Sequence, residues 1–299
     1  MNYFLRLTFL IVNFLFSGFI FAQIGDSLDQ DSSAPEQIKG MHLVWHDEFN
    51  VAGKPDSTNW NYENGFVRNK ELQWYQSANA SCKNGVLVIE GRKEQIKNPK
   101  YIAGSMDWRT NREFASYTSA SIRTKGLQQW LYGRFEIRAR IDSTTGSWPA
   151  IWTLGINGPW PSNGEVDMME FYRITNVPTI LANTAWGTDR PYVAKWNSAK
   201  KPLANFLSND PDWIRKFHIW RMDWDKDSIK LYIDNALLTI TPLSGTINAD
   251  GKNPFQQPHY LLLNLALGAN GGEPVNAPVR YEVDYVRVYQ KGISDEVMK

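Results

Sequence analysis

The sequence has only one cysteine, Cys82, so no disulfide can form within the chain and the fold must depend on its core. It also lacks an excess of either charge, since 32 Lys and Arg residues face 31 Asp and Glu residues. This balance argues against binding of nucleic acid or an anionic membrane through bulk charge. Its four histidines are scattered, and it has no glycine-rich phosphate loop or nucleophile elbow. These absences argue against zinc, nucleotide and serine-hydrolase chemistry.

Long hydrophobic runs are missing too, except at the N-terminus, where an apolar stretch extends from Leu7 to Phe21. Its layout predicts a secretory signal peptide over residues 1–22, cleaved after Ala22. The run is at the short end for crossing a bilayer, and Asn13 and Ser17 interrupt it. We therefore expect cleavage, no stable membrane insertion afterwards, and a secreted or periplasmic protein, with a retained anchor as the alternative.

The rest of the chain indicates one β-rich domain. Residues 23–40 are polar and acidic and predict a flexible leader, residues 41–291 the folded catalytic domain, and residues 292–299 a C-terminal tail. Helical periodicity is scarce, whereas several segments alternate apolar with polar residues, as half-buried strands do. This pattern predicts an all-β fold, a two-sheet antiparallel β-jelly-roll sandwich. The expected exception is a loop-rich insert from Pro191 to Phe217.

An acidic segment carries the candidate chemistry. In a regular strand Glu165 and Asp167 point to one face, and strict alternation would bury Glu170 on the other. A buried, unpaired carboxylate is costly, so we predict a β-bulge at Met168 and Met169 that returns Glu170 to the face of the other two acids. Three carboxyl groups would then share one open face.

Retaining glycoside hydrolysis uses such a cluster, because it needs one ionised and one protonated carboxyl group about 5–5.5 Å apart. We assign Glu165 as the nucleophile, Glu170 as the acid and base, and Asp167 as the neighbour that holds Glu165 by a hydrogen bond. A solvated sheet face or a calcium-binding cluster remains the alternative from the strand pattern alone. Abundant aromatics, 13 Trp, 13 Tyr and 14 Phe, suit the apolar faces of sugar rings.

The string Gly164-Glu-Val-Asp-Met-Met-Glu170 resembles the Glu-x-Asp-x-x-Glu signature of glycoside hydrolase family 16, in the bulged form of laminarinases, agarases and carrageenases. The resemblance implies a jelly roll whose concave sheet forms a cleft for a polysaccharide or oligosaccharide. Other segments resemble the laminarinase-like branch in the family's order: Leu43-Val-Trp-His-Asp-Glu-Phe-Asn50, Asn69-Lys-Glu-Leu-Gln-Trp-Tyr75, Tyr132-Gly-Arg-Phe-Glu136, Gly146-Ser-Trp-Pro-Ala-Ile-Trp152, Leu262-Leu-Asn-Leu-Ala-Leu-Gly268 and Val283-Asp-Tyr-Val-Arg-Val-Tyr289.

The resemblance also suggests the residues that bind the substrate. It makes Trp148 a sugar platform and places Asn69 and Glu71 at the negative subsites, on the side of the scissile bond that keeps the anomeric carbon. It implies no cofactor for catalysis, and a possible structural calcium held by Glu48, the carbonyl of Gly85 and Asp284. Trp152 fits either the cleft or the core, Trp160 and Trp186 have the Gly, Pro or Asn settings of cleft loops, and Trp196 and Trp213 belong to the insert.

Two departures from the family pattern affect the substrate. Ser121 stands where laminarinases usually have an arginine that reaches the cleft, and the strand after the acidic one, Leu181–Gly187, lacks their usual histidine. An endo-β-glucanase acting on β-1,3- or β-1,3-1,4-glucan is the leading hypothesis. An endo-β-galactosidase acting on agar-, keratan- or mucin-type chains is second, and a non-catalytic glycan-binding module is third. We expect a monomer.

Overall fold

The computed structural model describes residues 35, 37–268, 272–274 and 277–292. The predicted signal peptide, most of the leader and all but the first residue of the tail lie outside these ranges. Within the described residues, no helix is both long and apolar enough to cross a membrane.

Two large antiparallel sheets make up the molecule, as the alternating segments predict, and the predicted jelly-roll sandwich is confirmed. The first sheet contains β1 (His42–Asp47), β4 (Ala80–Lys83), β5 (Val86–Gly91), β10 (Gly133–Arg140), β15 (His218–Trp224), β16 (Ser228–Ile233), β17 (Ala236–Pro242) and β19 (Val279–Gln290). Its order is β17-β16-β15-β10-β19-β5-β4, and β1 pairs with β19.

The second sheet has seven strands in the order β14-β13-β12-β11-β18-β9-β2. They are β2 (Asn61–Tyr62), β9 (Ser121–Arg123), β11 (Ser147–Gly155), β12 (Glu165–Ile174), β13 (Val177–Gly187), β14 (Ala194–Pro202) and β18 (His259–Leu267). The acidic strand β12 therefore lies inside the sheet, two strands from the edge strand β14.

Small elements complete the fold. β3 (Gln73–Tyr75) pairs in parallel with β8 (Tyr117–Ser119), and β6 (Ile96–Lys97) pairs with β7 (Phe114–Ala115). The described helices are one short α-helix, α1 (Ala204–Leu207), and 3-10 turns at Ser77–Asn79, Trp213–Arg215 and Leu243–Gly245.

The core lies between the two large sheets and is apolar. Met168, Met169 and Phe171 on β12 meet residues of the opposite sheet such as Phe135 and Trp220, all of them fully buried. Each strand of the seven-stranded sheet thus directs one set of side chains into this core. The other set points outward and forms the floor of a cleft.

The expected loop-rich insert at 191–217 is wrong in its first half, because Ala194–Pro202 forms the edge strand β14. Its residues alternate between solvent and a partly buried face, and lysines are frequent on it, as is usual for edge strands. An apolar period is therefore missing, although the backbone is a regular strand paired along β13.

Candidate active site

A cleft of about 900 Å³ crosses the outer face of the seven-stranded sheet, within the usual size range of ligand sites. Its lining comes from β14, β13, β12, β11 and β18 and from the segment around residues 68–71. The sequence-predicted site residues that line it are Asn69, Glu71, Trp148, Trp152, Trp160, Glu165, Asp167 and Glu170.

The predicted bulge on β12 is present and brings the three acids to this face. Asp167 pairs with Asn183 and Glu170 with Leu181, so three steps along β12 match two steps along β13. On the other side the pairing moves from Asp167 to Met169, which makes Met168 the extra residue. Both methionines are buried in the core while all three carboxyl groups face the cleft.

Hydrogen bonds connect the three carboxyl groups into one cluster. The Asn183 side-chain amide donates to Asp167 Oδ2 over 3.0 Å and to Glu170 Oε2 over 2.9 Å, and Asp167 is hydrogen-bonded to Glu165. Trp148 Nε1 donates to Glu170 and Trp160 Nε1 to Glu165, each over 2.9 Å. Each glutamate therefore has its own indole donor.

Burial dominates the titration of the cluster. It raises the pKa of Glu165 and that of Glu170 to about 7, and that of Asp167 well above its usual range. The neighbouring acids raise the pKa of Asp167 further, which favours a protonated Asp167 that donates to Glu165. Near neutral pH the cluster thus holds both protonated and ionised carboxyl groups, as acid-base chemistry requires.

Two outer charges distinguish the glutamates from each other. The Arg68 guanidinium lowers the pKa of Glu165, and the Glu71 carboxylate raises that of Glu170. The Glu170 carboxylate in turn raises the pKa of Glu165, and this effect is larger than that of Arg68. Both pKa values lie at about 7, so the cluster can supply one ionised and one protonated glutamate near neutral pH.

The sequence pattern does not single out Arg68 as a site residue. The structure has its guanidinium paired with Glu63 and lying 5.0 Å from the ring centroid of Trp152. Ser121, where the family pattern has an arginine, donates to the same Glu63 carboxylate over 2.7 Å. Arg68 therefore supplies a cleft-lining cation next to the position where one is missing.

Asn183 is a second residue whose role the sequence did not reveal. It was noted only as part of a strand without the family's usual histidine, yet its amide contacts two of the three acids. The missing histidine marked the strand as unusual, but only the register with β12 identifies the residue.

The tryptophans of the cleft are held in different ways. Trp148 is half-buried and makes an edge contact with Tyr172, at 5.4 Å between ring centroids. Trp152, which the sequence left between cleft and core, is buried in the cleft floor and donates to Asn264 Oδ1 over 2.7 Å. Trp160 is exposed, on the loop between β11 and β12.

A close backbone approach closes the base of that loop. Gly155 N donates to Gly164 O over 3.2 Å, and a Cβ at Gly155 would lie 2.0 Å from Asn163 O. Only glycine fits there. The tight base fixes where the loop presents Trp160 to Glu165.

Asn69 and Glu71 lie at the end of the cleft next to β18, away from β14. Asn69 Nδ2 donates to Glu71 Oε1 over 3.3 Å, and Gln73 Nε2 donates to Glu71 Oε2 over 2.7 Å. Gln73 also accepts from the backbone of Leu267, which joins this segment to the end of β18. The pair is thus held in place beside the sheet.

Two predicted tryptophans lie elsewhere. Trp186 is a correction, because its neighbour Ala185 pairs with the cleft-facing Glu165, so the indole points to the opposite face and packs against the core. Trp213 of the insert is also buried in the core, where it stacks on His218. Trp196 of β14 does line the cleft.

The two carboxylates predicted to bind calcium, Glu48 and Asp284, are already engaged by arginines. Glu48 accepts two hydrogen bonds from Arg287, and Asp284 forms an ion pair with Arg138. Both carboxylates already neutralise a guanidinium, whereas calcium needs oxygen ligands free to surround it. In the part of the chain that the structure describes, no group of three or more His, Cys, Asp or Glu residues could hold a metal ion.

Comparison with known proteins identifies the family. The family model for glycosyl hydrolases family 16 matches residues 68–287. A beta-glucanase of Rhodothermus marinus is 35% identical over 286 residues, covering 88% of this chain and 88% of the relative.

Solved structures are similar over most of the chain. The laminarinase catalytic domain of Thermotoga maritima has a TM-score of 0.69 at 32% identity, covering 85% of this chain and all of that domain. Another similar structure comes from work on endo-acting O-glycanases, which members of the human gut microbiota express to initiate mucin breakdown. It has a TM-score of 0.78 at 35% identity, covering 88% of this chain and 96% of that one.

Proposed function

Because the chain belongs to family 16 of the glycosyl hydrolases and is a glycoside hydrolase, we propose that it is a secreted, endo-acting, retaining enzyme. Its proposed substrates are β-1,3- and β-1,3-1,4-glucan, which it cleaves at internal bonds. The observation that carries the proposal is the hydrogen-bonded cluster of Glu165, Asp167 and Glu170, which the bulge on β12 gathers on the cleft face. The glucan preference rests on relatives described as a beta-glucanase and a laminarinase.

The first step joins the sugar to the enzyme. The ionised Glu165 attacks the anomeric carbon and forms a glycosyl ester, while Glu170 gives its proton to the leaving oxygen. The hydrogen bond from Asp167 and the cation of Arg68 favour the ionised form of Glu165 before the attack. The Asn183 amide donates to Glu170, and that bond becomes charge-assisted once Glu170 has lost its proton.

The second step releases the sugar with its original configuration. Glu170, now ionised, takes a proton from a water molecule that attacks the anomeric carbon, and the ester bond to Glu165 breaks. The pKa of Glu170, raised to about 7, suits both directions of proton transfer near neutral pH.

Endo action is supported by the extent of the cleft. Its lining continues from β12 across β13 to β14 on one side, and across β11 and β18 to Asn69 and Glu71 on the other. We assign the Asn69 and Glu71 side to the sugars that stay on Glu165, and the β14 side to the leaving group. Sugars can then bind on both sides of the scissile bond.

Product analysis tests the proposal. Purified enzyme is incubated with laminarin, barley β-glucan, agarose, keratan sulfate and mucin glycans, and NMR follows the anomeric configuration of the first product. We expect cleavage of one or both glucans with retention, and Glu165→Gln should lower the rate by several powers of ten. Inversion would refute Glu165 as nucleophile, and binding of glycan without hydrolysis by the wild type would refute the enzyme.

A second candidate is endo-β-galactosidase action on galactose-containing chains. It is favoured by the similarity to the structure connected with mucin breakdown, by Ser121 where laminarinases usually have an arginine, and by the strand Leu181–Gly187, which lacks their usual histidine. In the panel above, cleavage of keratan sulfate or mucin glycans alone would select this candidate and leave the mechanism unchanged.

We also propose secretion or a periplasmic location, on the basis of the signal-like residues 1–22. The mechanism uses no cofactor, because the chain supplies both the nucleophile and the acid. A monomer is sufficient, since all groups of the cluster come from one chain.

A further inference from the structure

The edge strand β14 presents three side chains to the cleft for which the mechanism has no use. Trp196, Ser198 and Lys200 alternate along the strand and all line the cleft. The residues between them face the other way: Asn197 donates to Thr241 on the opposite sheet, and Ala199 packs against the core. The stripe is therefore fixed by the strand and is not the chance exposure of a loop.

Register aligns the stripe with the three acids. Each residue of the stripe pairs with a residue of β13 that in turn pairs with an acid of β12. The three rows are Glu165, Ala185 and Trp196; Asp167, Asn183 and Ser198; and Glu170, Leu181 and Lys200. Two strand spacings separate the ends of each row, about 10 Å.

The residues of β13 in the middle of the rows are buried, whereas Trp196 at the end of its row is exposed. Ala185 and Leu181 are buried apolar side chains that form a floor on β13. Trp196, in contrast, is 48% exposed although it belongs to the largest side chains of the molecule. A sugar ring covers a distance of the same order as one strand spacing, so one sugar fits over β13 and the next meets the indole.

The chemistry of the stripe suits a sugar. An indole ring presents an apolar face with a quadrupole to the C–H groups of a pyranose. Lys200 carries three donors, and among the residues that the structure describes no carboxylate forms an ion pair with it. Ser198 lies between them and can both donate and accept.

We infer that Trp196, Ser198 and Lys200 form a subsite on the leaving-group side, two sugars from the scissile bond, which takes a neutral pyranose through the indole face and its hydroxyl groups through Ser198 and Lys200. The inference rests on the proposed function, because it takes Glu165 and Glu170 as the reacting pair. The strand ends the sheet, so the subsite is the last one that the sheet provides on this side.

Such a subsite has a consequence for the second step of the reaction. An acceptor whose second sugar is held there can replace water: a hydroxyl oxygen of its first sugar, over β13, attacks the anomeric carbon, Glu170 takes the hydroxyl proton, and the ester bond to Glu165 breaks. A disaccharide acceptor reaches the stripe, whereas a monosaccharide stays over β13. Transfer to the two acceptors should therefore depend differently on Trp196.

The test measures transfer against hydrolysis with laminarin as donor and either laminaribiose or glucose as acceptor. We expect Trp196→Ala to lower transfer to laminaribiose about tenfold relative to hydrolysis, the size of a good aromatic contact, and to leave transfer to glucose unchanged. Trp196→Tyr should restore most of the loss because it restores the platform. Lys200→Ala should cause a loss of about threefold, as for one hydrogen bond.

Matched controls come from the neighbouring residues. Tyr192→Ala removes an aromatic that is 75% exposed but does not line the cleft, and Lys201→Ala removes the exposed lysine next to Lys200. Neither control should change the ratio. Thermal melting of each variant identifies those that fold poorly, and Trp196→Thr, which lacks an aromatic ring but suits a strand, serves for the test if Trp196→Ala is one of them.

Three results would overturn the inference. The ratio of transfer to hydrolysis could fall equally for both acceptors in Trp196→Ala, or it could stay unchanged for both. The third result is a fall that depends on how many donor sugars bind on the Asn69 side of the scissile bond. Failure of the proposed function can be distinguished from failure of this inference, because in the former case the wild-type enzyme would not cleave laminarin at all. In that case the same ratio is measured with the polysaccharide that the panel identifies and its own mono- and disaccharides as acceptors.

Discussion

Replacement of Asn183 by alanine tests how the acid is tuned. The side-chain amide gives one N–H to Glu170 and one to Asp167, and both bonds lower the pKa of their acceptors. A hydrogen bond to a charged group contributes about 1.5–3 kcal/mol, and 1.36 kcal/mol corresponds to one pH unit in a midpoint. Asn183→Ala should therefore move the alkaline limb of kcat/KM against pH upward by about one unit.

The rate should fall as the limb moves. Without the amide, Glu170 is a weaker acid and keeps only Trp148 as a described donor, so we expect kcat at pH 6 to drop about tenfold, equal to about 1.4 kcal/mol of barrier. Stability should change less, because Asn183 Oδ1 is buried without a partner in the described residues and its removal offsets part of the loss. Initial rates from pH 4 to 9 and a melting curve measure both effects.

Asn264→Ala is the matched control. Asn264 also lines the cleft, but its amide bonds Trp152 and Tyr75 and none of the three acids. It should raise KM without moving the alkaline limb. An alkaline limb that stays in place or moves downward in Asn183→Ala would refute the assignment of Glu170 as the tuned acid.

Three further predictions use other parts of the site. Arg68→Met removes the cation that lowers the pKa of Glu165, so kcat/KM should fall more at pH 5 than at pH 8, and a uniform loss across pH would contradict this. The free energy of unfolding should decrease as pH rises from about 4.5 to 7, because the folded protein keeps protons on Glu165 and Glu170 that the unfolded chain releases near 4.5. Urea titrations at several pH values should show that this free energy depends less steeply on pH in Glu170→Gln. A rise in stability over this window would be inconsistent with the raised pKa values. EDTA should leave the melting temperature unchanged, because Glu48 and Asp284 are engaged by arginines, whereas a clear drop would indicate a bound metal.

The acidic strand could be predicted because few arrangements satisfy its physics. Alternation placed Glu165 and Asp167 outward, and the cost of burying Glu170 left one added residue as the solution. The bulge at Met168 agrees with that argument. The sheets followed from the same alternation in segments such as Val279–Gln290.

Contacts between strands could not be predicted, because they depend on register. Asn183 contacts two of the acids through the pairing of β13 with β12, and Arg68 acts on Glu165 from the segment between β2 and β3, so no local pattern records either. The wrong prediction for Trp186 has the same cause, because a shift of one residue along β13 decides whether its indole faces the cleft or the core. β14 was missed because an edge strand beside a polar cleft has no apolar period to detect.

The extra residue on β12 implies that the catalytic pair depends on the match between the spacing of its two glutamates and the bulge, more than on the identity of the residues between them. Leucine at Met168 or Met169 would alter only how the interior is filled, a change that cores usually tolerate. Deleting either one would place Glu170 four positions after Glu165, where regular alternation keeps it on the cleft face without a bulge. A shortened strand that still bulged would turn Glu170 inward, so such a deletion shows whether β12 itself or its neighbouring strands impose the bulge.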